Sequence, residues 1–539
     1  MRKLLCALST SVLLAFSANA KIVSGVGSGS TPRITGPTAP TRQAPDRNAY
    51  EEPKPWDYKV VYPSRDNCSG LGWTFEVGVG KQYTSLKDVP WLSLLPCDVV
   101  AVFAKPEPYK DIVFLASRGR DKQWITITGV PDSAGNLPVL DGTDAVMPKN
   151  TGANEHTDSK GMIIIKTPDT SVVQRSGKYK PGYIHITGFR FKNARHTQSV
   201  MSLSGVKQPW PLLSSGVYIN GAENVAITGS VFEDNSVGIF ANSTSGELLQ
   251  TRNLLIAGNY FRNNGNIGSF SEHNSYTEGI ATVYEYNYFA PPITGSYGDN
   301  IKERSAGVVF RYNYIEGGAD LIALRDPESN VDHESGQVDV HGEKLVANAF
   351  IYSNIMVTRN YVQAFVGHGD GGMGTNKQPR EGSLYFYNNT VKSYVDNQGF
   401  WRNNEYFEYQ SVPLIALLNT RSQTTVVARN NFLFSANRTQ SGVAAPVGLF
   451  YYQGRADYQH NWTNFFTATV DPFGGTNLAT GVKWDGINVL TGKKIDGTFT
   501  SGLEQSSSPP ATLNAPLPEA ITKRGLIPTK QAVTTPPVK

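Results

Sequence analysis

SEHNSYTEGIATVYEYNYFAPPITGSYGDNIKERSAGVVFRYNYIEGGADLIALRDPE, residues 271–328, contains one short pattern twice, as VYEYNYF and VFRYNYI, each copy followed by a polar segment. With the Asn of each copy as an anchor, the pattern extends over Asn259, Asn287, Asn313, Asn360, Asn389 and Asn431. Aliphatic or aromatic residues stand five and three places before the anchor and two after it, as Val308, Phe310 and Ile315 do around Asn313. That is alternation with period two, a bend, and alternation again, as short strands meeting at a corner require. The anchor intervals are 28, 26, 47, 29 and 42 residues, a basic unit under thirty with inserted loops in some copies. Weaker copies at 183–191 and 225–232 carry the repeat upstream.

A repeat of this length, rich in β-branched and aromatic residues and poor in long helical patterns, predicts an all-β solenoid. Inward Val, Ile, Leu and Phe would stack from coil to coil, while stacked Asn side chains satisfy the turn backbone. The chain then resembles the right-handed parallel β-helix proteins, a set dominated by enzymes that cut acidic polysaccharides. That resemblance implies the handedness; the open end of the first coil needs an N-terminal cap against edge pairing, and the Ser/Pro/Thr-rich composition from about 500 reads as an extended C-terminal tail.

Met1–Ala20 has Arg2 and Lys3, an apolar run and a small-x-small end at Ala18-Asn19-Ala20, the pattern of a secretory signal peptide. A soluble exported protein, periplasmic or secreted, is the expectation, because no later apolar run approaches the ~20 residues of a membrane span. Removing the signal lowers the basic count from 49 to 47 against 45 acidic residues, a formal +2. This excludes an argument for nucleic acid from net charge; attraction to an acidic polymer must come from local clusters. Of three cysteines, Cys68 and Cys97 survive processing and are expected to pair in an oxidising compartment. Residues 21–54 read as a linker or extended arm, 55–500 as the solenoid with its cap in 55–145, and 501–539 as a Pro/Ser/Thr-rich tail. Residues 146–180 and 205–215 read as loops, and a monomer is expected.

Candidate site residues follow from phase relative to the anchors. His273 lies 14 after Asn259, Lys302 15 after Asn287, and Arg325 and Asp326 lie 12 and 13 after Asn313. His368 and Asp370 lie 8 and 10 after Asn360, and Arg402 lies 13 after Asn389. Similar phase on coils ~4.8 Å apart would put them in a column on one face. Alternation in DNIKERS and LIALRD turns Lys302, Arg304 and Arg325 outward, a positive patch suited to uronate or sulfate groups. Arg311 stands where the previous coil has Glu285 and is expected to pair with it, while His185 is expected to be structural.

Locally, the chain resembles the lyase family of chondroitinase B and β-helical alginate lyases, which carries N-K-S, R-x-N-x-[FY] and L-x-[LF]-R. The matching runs are Asn300-Ile301-Lys302-Glu303-Arg304-Ser305, Arg311-Tyr312-Asn313-Tyr314-Ile315 and Leu321-Ile322-Ala323-Leu324-Arg325. The resemblance implies Lys302 as proton abstractor, Arg325 as the group assisting proton return, and an acidic polysaccharide substrate. It also implies calcium, for which Asp299, Asp326 and Glu328 are the nearby acids. Arg304 competes for the basic position. Like-charge repulsion from Arg304 and Arg325 would ease proton loss from Lys302. His273, titrating near neutrality, is the second candidate base. Tyr276 and Tyr297 are candidate acids, and Tyr297 also a binding residue.

Two other readings stand beside elimination. Gly367-His368-Gly369 resembles the Gly-His-Gly of β-helical polygalacturonases, implying a hydrolase with Asp320, Asp326 and Asp370 as carboxyl candidates. GFWRNNEYFEY (399–409) would instead supply stacking platforms to a non-catalytic binder. The insertion 327–344, with His333 and His341, reads as a groove wall or lid.

Overall fold

The computed structural model describes residues 60–148, 160–167, 180–243, 249–328, 348–359, 362–369 and 380, with shorter runs between 383 and 494. The chain winds as a right-handed parallel β-helix whose coils contribute one strand to each of three sheets, with 12, 9 and 10 strands. One coil shows the order: Ile280–Glu285 in the first sheet, Tyr288–Phe289 in the third, Ile301–Glu303 in the second, then Val308–Arg311 back in the first. Among the described residues no helix is long and apolar enough to cross a membrane.

The Asn anchors form the corner between the first and third sheets. Backbone N–H groups of Asn259, Asn287 and Asn313 each donate to the side-chain oxygen of the next anchor at 3.0 Å. The ladder continues through Asn354, Asn389 and Asn431 and upstream to Ser230. Asn354, not Asn360, is the fourth anchor. The flanking segment alternates regularly enough for either Asn to fit the pattern, and it is Asn354 that bonds to both Asn313 and Asn389. The residue before each anchor bends the chain with positive φ: Gly258 (63°), Tyr286 (56°), Tyr312 (59°) and Ser353 (55°). For Tyr this region is disfavoured by about 1–2 kcal/mol. Stacking of Tyr286 on Tyr312, centroids 4.9 Å apart, offsets part of it.

Buried Asn313 is expected to be the most sensitive rung. Its Oδ1 accepts from Asn287 N–H and its Nδ2 donates to Tyr284 O and Asn354 Oδ1. Asn313→Ala leaves several of these groups unsatisfied, at about 1–3 kcal/mol each. Hydrogen exchange should therefore accelerate in the strands flanking residues 287 and 354 while distant coils stay protected.

A second ladder, not anticipated from the sequence, turns the chain from the third sheet into the second: Asn235, Asn264, Asn274 and Asn300 link side chain to side chain at 2.8–3.2 Å. Inside, Phe191, Phe232, Phe261 and Phe289 stack with centroids 4.5–5.0 Å apart. GMIIIK (161–166) is a second-sheet strand inside a span expected to be loop, its three isoleucines paired with Val217, Tyr218 and Ile219. The upstream SLKDVPWLSLL run holds two short 3-10 turns, Leu86–Asp88 and Trp91–Ser93. Cys68 and Cys97 form a disulfide with Cα atoms 5.4 Å apart.

Residues 60–62, expected to begin the cap, lie along the outside of the first sheet. Val60, Val61 and Tyr62 pack against Val283, Val309 and Phe350. Arg311 donates to the Tyr62 hydroxyl at 2.8 Å and pairs with buried Glu285 at 2.6 Å. His185 is buried and shares a hydrogen bond of 2.8 Å with Thr228.

Candidate functional site

The second sheet positions the candidates. Its parallel register aligns Tyr276, Lys302, Ala323 and Gly367 in one outward column, and Thr277, Glu303, Leu324 and His368 in the adjacent inward one. Tyr218, Phe240 and Tyr276 follow one another along the outward column, the first pair tilted with ring centres 5.4 Å apart and the second stacked at 5.1 Å, and the Lys302 ammonium lies 4.9 Å from the Tyr276 ring centre. Lys302 is partly exposed, whereas Tyr276 is buried.

His273 is fully buried beside Tyr276, with ring centres 5.6 Å apart. Its Nδ1 lies 3.1 Å from the Asp299 carbonyl oxygen, so a proton on Nδ1 donates there and leaves Nε2 as an acceptor. Nε2 has no partner. Burial pushes the imidazole down to about 3, with Lys302 and Arg325 adding to the effect and Asp299 opposing it. The ring is therefore neutral, and it does not titrate near neutrality as expected from the free side chain.

Arg325 bridges coils. It donates to Asp320 Oδ2 at 2.6 Å and to the Gly369 carbonyl at 3.1 Å, and lies 3.7 Å from Asp299. A Cβ at Gly367 would come within 2.1 Å of Asp320 Oδ2, so the absence of a side chain there makes room for the ion pair. Burial pushes the Asp320 carboxyl up to about 7; Asp299 adds to the rise and Arg325 opposes it. Asp320 Oδ1 has no hydrogen-bond partner.

Several expectations change. Arg304 is buried rather than part of an open patch: Nε donates to the Tyr276 hydroxyl at 3.1 Å, Nη2 pairs with Glu328 at 2.9 Å, and Nη1 donates to the Asp326 carbonyl. Burial raises the Tyr276 hydroxyl to about 12, keeping it protonated near neutrality. His368 is 1% exposed and points inward in the Leu324 and Leu417 column, so it is not placed to touch a polymer on the outer face. The acids named for calcium do not converge. Asp299 faces Arg325 and His273, Asp326 accepts from Arg380 N–H, and Glu328 pairs with Arg304. Among the described residues no group of three His, Cys, Asp or Glu side chains is arranged to hold a metal.

Tyr297 is half exposed on a loop ahead of Asp299, stacked on Phe270. Asp370, most of the 327–344 insertion, the signal segment, the 21–54 arm and the 501–539 tail lie outside the described residues, as do the side chains of Arg402 and the rest of 399–409. Behind Lys302 lies a feature that the sequence concealed. Glu303 is fully inside the solenoid, accepting from Thr277 Oγ1 and Ser305 N–H, and burial raises its carboxyl. The alternation that turns Lys302 and Arg304 outward puts Glu303 on the inward side, but an acidic side chain there carried no other sign of burial.

His368 supplies a test of this placement. Neither ring nitrogen has a partner, and burial with the Arg380 and Arg325 charges lowers it to about 3. Below pH 6.5 the unfolded imidazole takes a proton that the folded one refuses until about 3, so His368 costs stability as pH falls through that window. His273 acts in the same sense and Asp320 in the opposite one. His368→Leu is expected to stabilise the protein by about 1–3 kcal/mol at neutral pH. Denaturant midpoints measured from pH 7 to 4 should also fall less steeply than in the parent.

No family model matches the chain, and no curated protein matches it in sequence. Among solved structures, the similarities are at low identity. An alginate lyase from Paenibacillus sp. str. FPU-7 is 13% identical over 70% of this chain and 99% of its own, with a TM-score of 0.41. A GH136 lacto-N-biosidase from Eubacterium ramulus is 11% identical over 73% and 68%, with a TM-score of 0.42. A pectate lyase is 12% identical over 70% and 74%, with a TM-score of 0.35.

Proposed function

We propose that the chain is an exported polysaccharide lyase that cleaves an acidic, uronate-containing polymer by β-elimination on the outer face of the second sheet. The observation that carries this reading is Lys302, partly exposed and projecting from that face between Tyr276 and the Arg325–Asp320–Asp299 cluster. In the proposed step Lys302, as the free amine, takes the proton from the carbon alpha to the uronate carboxylate. The electron pair forms a carbon–carbon double bond, the bond to the glycosidic oxygen breaks, and that oxygen takes a proton from the Lys302 ammonium, which returns to the free amine. No water is consumed. Tyr276 is protonated and can donate a hydrogen bond as charge develops, while Arg325, fixed by two carboxylates and a carbonyl, supplies positive potential without moving. Neutral His273 orients the Asp299 backbone and leaves an acceptor nitrogen against the site.

Hydrolysis is favoured by one observation. A carboxyl raised to about 7, as in Asp320, beside a second carboxylate is what a general acid requires. Against it, Asp320 is 2% exposed and its Oδ2 is engaged by Arg325. Incubation with alginate, polygalacturonate and chondroitin sulfate separates the readings. Elimination produces ultraviolet absorbance from the new conjugated double bond, and hydrolysis produces reducing ends without it. A binder produces neither.

A further inference from the structure

Ahead of His273 and Asp299, two loops from successive coils present large apolar side chains to solvent: Ile267 is 74% exposed, Phe270 64% and Tyr297 50%. Exposing so much apolar surface in one place is unfavourable unless something covers it. The loops are braced against each other. Gly268 N–H donates to the Gly295 carbonyl at 2.7 Å and Tyr297 N–H to the Ser269 carbonyl at 2.9 Å. The Phe270 and Tyr297 rings stack with centroids 4.9 Å apart at 26°. A Cβ at Gly298 would lie 2.0 Å from the Glu272 carbonyl oxygen and 3.3 Å from His273 Nδ1, so the loop that carries Tyr297 runs directly against the segment that carries His273.

We infer that Phe270, Tyr297 and Ile267 form a sugar-binding subsite that holds a pyranose ring of the polymer one or more residues from the bond being cut. A pyranose has an apolar face of axial C–H groups that lies flat on an aromatic ring while its hydroxyls stay in water, the environment this ledge provides. A protein partner fits less well: three exposed side chains offer roughly 300 Å², well below the ~800 Å² per partner of a stable interface. The inference rests on the proposed polysaccharide substrate but not on the reaction performed on it.

The test is electrophoresis of the full chain through native gels containing alginate or polygalacturonate. The parent should be retarded in at least one gel. F270A/Y297A should lose that retardation, with apparent affinity down about tenfold, while Phe270→Trp keeps it. Both side chains are exposed, so the thermal midpoint of the double variant should match the parent. If the parent is retarded but cleaves neither polymer, the lyase reading fails while the subsite stands. Equal retardation of parent and double variant would overturn the inference, as would no retardation in either gel. So would a dimer in sedimentation that the double variant abolishes.

Discussion

Lys302→Ala should lose elimination activity by about two to four orders of magnitude while folding normally. The side chain is partly exposed, and its contact with the Tyr276 ring is a cation–π interaction worth about 0.5–1 kcal/mol, so its removal costs little stability. The loss should fall on kcat rather than KM, because a proton abstractor acts in the transition state. Lys302→Arg keeps the charge but cannot accept a proton near neutrality, and should be nearly as inactive. If Lys302→Arg retains more than about a tenth of parental kcat, the lysine is binding polymer and another group is the base.

Asp320→Ala has the largest expected effect on stability. Asp320 is the nearer carboxylate partner of Arg325, and both side chains are largely buried. Removing the nearer partner of a buried pair leaves the Arg325 charge facing the more distant Asp299 carboxylate at 3.7 Å, at a cost of up to about 3–5 kcal/mol. In a solenoid the damage should stay local: exchange protection should collapse first in Ile301–Glu303, Asp320–Leu324 and Ala364–His368. Gly367→Ala should produce a milder form of the same defect, since its Cβ would displace the Asp320 carboxylate. Adding Arg325→Met to Asp320→Ala should recover part of the stability, because the buried guanidinium that lost its nearer partner is then gone. Local exchange unchanged in Asp320→Ala would show that the pair does not hold these coils together.

The fold was legible where each coil repeats the same local problem. The anchors recur because every coil must satisfy the backbone at the same corner, and the Asn ladder runs through Asn259, Asn287 and Asn313 as read. Glu285 and Arg311 were readable as partners because they occupy the same place in neighbouring first-sheet strands. The site was harder to read because the connection from the anchor corner to the second sheet varies in length. Register-equivalent positions are reached after 16 residues from Asn259 to Ser275, 14 from Asn287 to Ile301 and only 9 from Asn313 to Ile322. Phase counted from the anchor therefore drifts. Lys302 neighbours Ala323 rather than Arg325, and His368 turns inward. Burial was the other hidden quantity. An Arg in an alternating polar run reads as exposed, but Arg304 is enclosed by Glu328, Tyr276 and the Asp326 carbonyl. The Gly-His-Gly tripeptide also has a structural explanation: Gly367 makes room for the Asp320–Arg325 pair and the Gly369 carbonyl accepts from it.

The most direct measurement is to cleave the polymer in water enriched in heavy oxygen and weigh the fragments. Elimination through Lys302 predicts fragments with an unsaturated non-reducing end, one water lighter than hydrolysis products, and no heavy oxygen at the cleaved bond. Saturated fragments carrying one heavy oxygen per cleavage would contradict it and move the chemistry to the Asp320–Asp299 carboxyls.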